Sequence, residues 1–82
     1  MFKQQSTRGA ISDGVITAKV RAALAADPIT AEYQVGVATW DGTVELSGFV
    51  ETATVRAEAL QLAQHVEGVL RVQDSLELRR FD

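Results

Sequence analysis

The residues that could do chemistry are few, and each sits in a pattern that constrains what it could do. A Ser, His, Asp triad would have to use His65, the one histidine of the chain, because imidazole is the base that takes the nucleophile's proton. His65 falls beside an apolar helical stripe, toward its polar side, which reads as a partly exposed surface residue. A zinc centre needs several His or Cys ligands, and one histidine with no cysteine cannot supply them. Glu45 and Glu77 share the parity of one strand face, and paired carboxylates do acid and base work when their surroundings push their pKa values apart. Nothing apolar in the sequence encloses them, so a solvated face near Arg71 is the reading. Asp74 alternates onto the apolar side of the last strand, where it can cap a backbone amide near a bend; a cation site is the sharper alternative.

Phosphate and nucleic-acid chemistry are poorly served. Gly42, Gly48 and Gly68 match neither the P-loop pattern nor G-x-G-x-x-G, and the GXXG clamp of a KH-type RNA binder is absent. A net charge of −3 and a pI near 5.0 oppose binding by counterion release, which leaves a basic patch or stripe as its footprint. Lys19 and Arg21 stand roughly 160° apart on a helix, so they form no basic stripe for a membrane surface. What remains is a set of aromatics and arginines, Trp40, Phe49, Arg71 and Arg79, whose strand parity puts them on one sheet face. Interface centres are enriched in those types, so this is the candidate partner-binding face. The plainer alternative has Trp40 capping the hairpin edge and Phe49 partly covered by the N-terminal tail.

The elements that would position these residues follow from Tyr33 to Val50. Asp41-Gly42 suits a two-residue type I′ turn, which needs positive φ at both central residues. The turn then fixes a register: Trp40 with Thr43, Thr39 with Val44, Val37 with Leu46, Val35 with Gly48 and Tyr33 with Val50. The Val37/Leu46 face is apolar and must be covered; the Trp40/Phe49 face is mixed. Before the hairpin, Ser12-Asp13 can cap a helix with apolar positions Ile16, Val20, Ala23 and Leu24, ending before Pro28. Ile29 is expected to tuck beneath the sheet. After the hairpin, Thr52 caps a second helix in which Val55, Ala59, Leu62, Ala63 and Val66 make one stripe, with Gly68 as its C′ stop. Val69 to Leu78 alternates as a strand, with Val72, Leu76 and Leu78 inward.

The expected fold is therefore α+β in the order αββαβ, a mixed three-stranded sheet with both helices packed on one face. A right-handed crossover makes the last strand parallel to the second. Strand order 1-2-3 is preferred, with an antiparallel placement of the last strand beside the first as the alternative. Residues 1–11 read as a flexible N-terminal tail and 12–80 as a single domain, since 82 residues leave no material for a second core. No window approaches a membrane span. Met1 to Ala10 has no apolar segment of a signal peptide, which fits either a cytosolic chain or one whose export signal has been replaced by a start methionine. The absence of cysteine excludes disulfides and suits cytosol and periplasm equally.

Taken together, V-x-V in Val35 to Val37, G-x-V-x-L-x-G-x-V in Gly42 to Val50, a helix holding Ala59 and Ala63, and G-V-x-x-V-x-D-x-L in Gly68 to Leu76 resemble the BON domain, the module of bacterial osmotically induced and nodulation proteins. The motif is structural: Asp41 and Gly42 form the turn, Gly48 allows close approach of helix to sheet, and Gly68 stops a helix. The resemblance implies a module of the bacterial envelope, mostly periplasmic, associated with phospholipid and linked to osmotic or envelope stress. It carries over no catalytic residues and no cofactor. Paired copies are common in the family, whereas this chain holds one. The expectation is a non-enzymatic binding module for phospholipid or a membrane surface, periplasmic with cytoplasmic as the alternative. A protein interaction or self-association module using the open face around Trp40 and Phe49 is the second reading, with no nucleic-acid partner.

Overall fold

A computed structural model describes residues 11–79. Helix α1 (Asp13–Ala26), strands β1 (Gly36–Trp40) and β2 (Thr43–Val50), helix α2 (Ala53–Gln64) and strand β3 (Arg71–Leu78) follow in that order. The sheet is ordered β1-β2-β3, with β1 antiparallel to β2 and β3 parallel to it. This is the expected order, and the antiparallel alternative for β3 does not occur. Residues 1–10, most of the expected tail, lie outside the described part of the chain. Ile11, placed in the tail by sequence, is partly buried against the core.

The hairpin turn has the geometry its residues demand, with φ of 50° at Asp41 and 78° at Gly42. The register from Trp40↔Thr43 to Gly36↔Ser47 is as expected. The ladder stops there, however, so the Val35–Gly48 and Tyr33–Val50 pairs do not form. Ahead of it, the Tyr33 amide donates to the Thr30 carbonyl at 3.0 Å, closing a turn. Gly48 takes φ 119°, and a Cβ there would stand 2.9 Å from the Gln34 carbonyl oxygen. Gly48 thus admits the backbone entering β1, not a helix as the motif suggested.

The core is one apolar cluster. Ile16, Val20 and Leu24 of α1 and Val55, Ala59 and Ala63 of α2 meet Val37, Val44, Leu46, Val50 and Leu76 of the sheet, all buried. Both helices therefore cover the same face. Each begins on a side-chain cap: Ser12 Oγ accepts from the Val15 amide at 3.3 Å and Thr52 Oγ1 from the Val55 amide at 3.2 Å. Such caps satisfy amides that have no partner inside the helix.

Three local expectations are corrected. Ile29 is exposed, and Thr30 is the buried residue, at 1% exposure. The Asp27 carboxylate accepts the Ile29 amide at 2.8 Å, and the turn this sets directs Thr30 inward. There its hydroxyl donates to the Leu24 carbonyl at 2.7 Å, satisfying one of the last carbonyls of α1. Helix α2 is capped at His65, so Gly68 does not occupy C′. Its φ of 95° belongs to the following turn, where a Cβ would meet Ile11 and Ile16 at 3.1 and 3.2 Å. Leu78, expected inward, is half-exposed at the end of the sheet.

Candidate functional site

The uncovered face of the sheet is built by alternation. Pairing of Thr43 with Arg71, Glu45 with Gln73, Ser47 with Ser75 and Phe49 with Glu77 puts all eight on the side away from the helices, joined by Trp40, Ala38 and Gly36 of β1. Its four candidate partner-binding residues separate into two ends. At the hairpin end, Trp40 and Arg71 flank Thr43 from either side. At the other end, the Arg79 guanidinium stacks 4.1 Å from the centroid of the Phe49 ring. Phe49 lies six positions along β2 from Thr43, about 20 Å at strand rise. Trp40 and Phe49 are exposed at 44% and 45%, so neither ring is satisfied by the rest of the described chain. Between the ends the face is small and polar, and Ser75 Oγ donates to Glu45 at 2.7 Å.

This arrangement offers one aromatic–cation anchor, Phe49 with Arg79, and at the far end of a polar strip an exposed Trp40 two strands from Arg71. It does not gather reacting groups. Glu45 and Glu77 are four strand positions apart, about 13 Å by strand rise, too far to share a proton. His65 is exposed at the end of α2, its Nδ1 2.8 Å from the Gln61 carbonyl of its own helix, with no nucleophile on it among the described residues. Among the described residues no group of three or more His, Cys, Asp or Glu is placed to hold a metal ion. Asp74 does cap a backbone amide, accepting from Leu76 at 3.0 Å, and the cation beside it is the Arg56 guanidinium at 3.3 Å.

Two carboxylates near the covered layer carry shifted pKa values. Asp27 is held below its ordinary value, chiefly through its pairing with the Glu58 carboxyl, and Glu58 is raised chiefly by that same pairing, which joins the end of α1 to α2. Burial and the nearby Glu51 charge push the Tyr33 hydroxyl up, and it donates to Glu51 at 3.3 Å. Tyr33 lines an open groove of about 340 Å³ with Arg21, Leu24 and Thr30. No nucleophile and base meet there.

Sequence reasoning passed over one polar contact that positions the candidate face. Asp13, read only as a possible cap, reaches from the first turn of α1 to the hairpin turn. Its carboxylate accepts the Asp41 amide at 2.9 Å and the Gly42 amide at 3.1 Å. This clasp fixes the turn that carries Trp40. An aspartate directly after a better cap, with a type I′ turn elsewhere in the chain, was the available signal, but it does not say which loop the carboxylate meets.

No helix among the described residues is long and apolar enough to cross a membrane. In comparison with known proteins, the chain is 42% identical over 69 residues to osmotically-inducible protein Y of Escherichia coli (strain K12), a match that takes in 84% of this chain. The chain spans about a third of the length of that relative, 34%. Residues 12–80 match the BON domain. With its αββαβ order, its turn glycine and its strand register all accounted for, the chain belongs to the BON domain family.

Proposed function

We propose that this chain is a non-catalytic binding module of the bacterial cell envelope, working in the periplasm in a response to osmotic or envelope stress, and that it associates with phospholipid. Family membership and the relative's name, osmotically-inducible protein Y, support the stress and envelope parts of this reading. The observation that carries the binding part is the open sheet face, where exposed Phe49 stacks with Arg79 and exposed Trp40 shares the hairpin end with Arg71. Amphipathic rings favour the headgroup level of a bilayer, and guanidinium groups pair with phosphate. Co-sedimentation with liposomes of anionic and of neutral lipid tests it. Binding that falls on replacing Trp40 and Phe49 by serine supports the reading; no binding to either liposome removes it for this chain.

The same face favours a second reading, a surface for another protein domain or a second copy. The Arg79–Phe49 stack holds one anchor in place before any partner arrives, which lowers the ordering cost of binding. Under this reading, the serine substitutions abolish association in analytical ultracentrifugation and leave thermal unfolding nearly unchanged. An unaltered oligomer refutes it.

A further inference from the structure

Strand β3 lies at the edge of the sheet, and its hydrogen bonds show which of its amides face outward. The Arg71 amide donates to Gly42 at 3.4 Å and the Arg79 amide to Val50 at 2.8 Å, so the odd-numbered residues bond inward to β2. By strand alternation the backbone groups of Val72, Asp74, Leu76 and Leu78 point to the free edge. No strand among the described residues pairs with this edge, and an edge of that kind is a template for another strand. One of its central donors is already taken. Asp74 Oδ1 accepts the Leu76 amide at 3.0 Å, and Oδ2 is held by Arg56 of α2 at 3.3 Å.

We propose that the outer edge of β3 is a pairing surface for a second copy of this chain, and that Asp74 holds it closed. A two-fold antiparallel pairing must set outward-facing residues against each other. The register that opposes Val72 to Leu76 sets Arg71 against Glu77, twice, and Gln73 against Ser75. Slipping it by two residues sets Arg71 against Arg79 instead, so charge selects the first register. In that register the two Asp74 side chains stand directly opposite, and each has withdrawn the Leu76 amide that the partner's Val72 carbonyl requires. Asp74 therefore opposes pairing both by like charge and by removing a donor. Arg56 keeps the carboxylate in the position that does so. The backbone edge is distinct from the open face that carries the proposed binding function, but Arg71 and Glu77, which select the register, project from that face.

Sedimentation velocity of the full chain tests the assignment, with wild type and Asp74→Val at matched concentration. The expected result is a shift of Asp74→Val toward about twice the mass of wild type. Adding Val72→Pro should reverse the shift, because Val72 is only partly buried, and proline lacks the outward amide and is tolerated at edge positions that need no inward donor. Adding Glu77→Arg should also reverse it, by setting like charges opposite. If Asp74→Val lacks a cooperative unfolding transition, Asp74→Ala is measured in its place with the same expectation. A folded variant that sediments as wild type overturns the proposal. So does a shifted species that survives Val72→Pro or Glu77→Arg, or a wild-type dimer that Val72→Pro dissolves.

Discussion

Removing the Asp13 carboxylate is expected to loosen the hairpin turn while sparing the core. In Asp13→Ala two hydrogen bonds to one charged acceptor are lost, from the exposed Asp41 amide at 2.9 Å and the part-buried Gly42 amide at 3.1 Å. Hydrogen bonds to charged groups contribute about 1.5–3 kcal/mol each when well shielded, and neutral ones about 1. Solvent access at Asp41 puts its bond near the lower figure. The buried Gly42 backbone puts the second near 1.5, since its amide would lose its acceptor where water reaches it poorly. The expected loss is thus about 2–3 kcal/mol, with alanine's helix propensity returning a few tenths of a kcal/mol at most. For a domain of this size that lowers Tm by roughly 10–20 °C. Asp13→Asn keeps one acceptor oxygen and turns an amino group toward the other donor, so about half the loss is expected. Urea unfolding of the three proteins followed by Trp40 fluorescence measures both values. If the two variants unfold within about 0.5 kcal/mol of wild type, the clasp contributes nothing and the argument that it fixes the turn is refuted.

Gly48→Ala is expected to cost about 2 kcal/mol or more, because φ is 119° and the new Cβ would stand 2.9 Å from a backbone oxygen; a chemical-denaturation midpoint equal to that of wild type counts against the close approach. Gly14→Ala is the opposite case, with open space around the Cβ inside α1, and should raise stability by about 0.5 kcal/mol in the same experiment. Thr30→Val keeps the shape of a fully buried side chain but leaves the Leu24 carbonyl without the hydroxyl it accepts at 2.7 Å, so a loss of about 1–2 kcal/mol is expected by thermal unfolding. The opposed shifts of Asp27 and Glu58 give a pH dependence of defined sign. The raised Glu58 stabilises the fold while it is protonated and loses that effect as pH rises through its folded value; the lowered Asp27 stabilises while ionised and loses that effect as pH falls through its own. Their joint contribution therefore peaks in the acid carboxylate range and declines toward neutral pH. Glu58→Gln supplies a permanent donor in place of the carboxyl, so its thermal stability should exceed that of wild type at neutral pH and lose that advantage in acid; parallel melting profiles for the two proteins would contradict the pairing.

The turn pair Asp41-Gly42, the alternation about it and the helical stripes were sufficient to specify the αββαβ order, the register Trp40↔Thr43 and the burial of Val37, Val44, Leu46 and Val50. These are local or periodic signals: a two-residue turn admits few backbone conformations, and a period of two or of 3.6 states which side must be buried. The parallel placement of β3 followed from the handedness of a crossover, a rule that needs only element order. Where the sequence reading missed, a residue had answered to a neighbour distant in the chain or to a hydrogen bond that sequence does not specify. Ile29 and Thr30 exchanged roles because the buried Thr30 hydroxyl reached a helix carbonyl, and apolar character alone could not anticipate that partner. The four residues assigned to one face do share it, but only the ladder shows that they form two groups, because parity fixes the side of a sheet and says nothing of distance along it. Asp13 on the hairpin turn and Arg56 on Asp74 were decided by tertiary structure alone: a charged side chain can reach several acceptors or donors, and which one it meets depends on how two helices settle on the sheet.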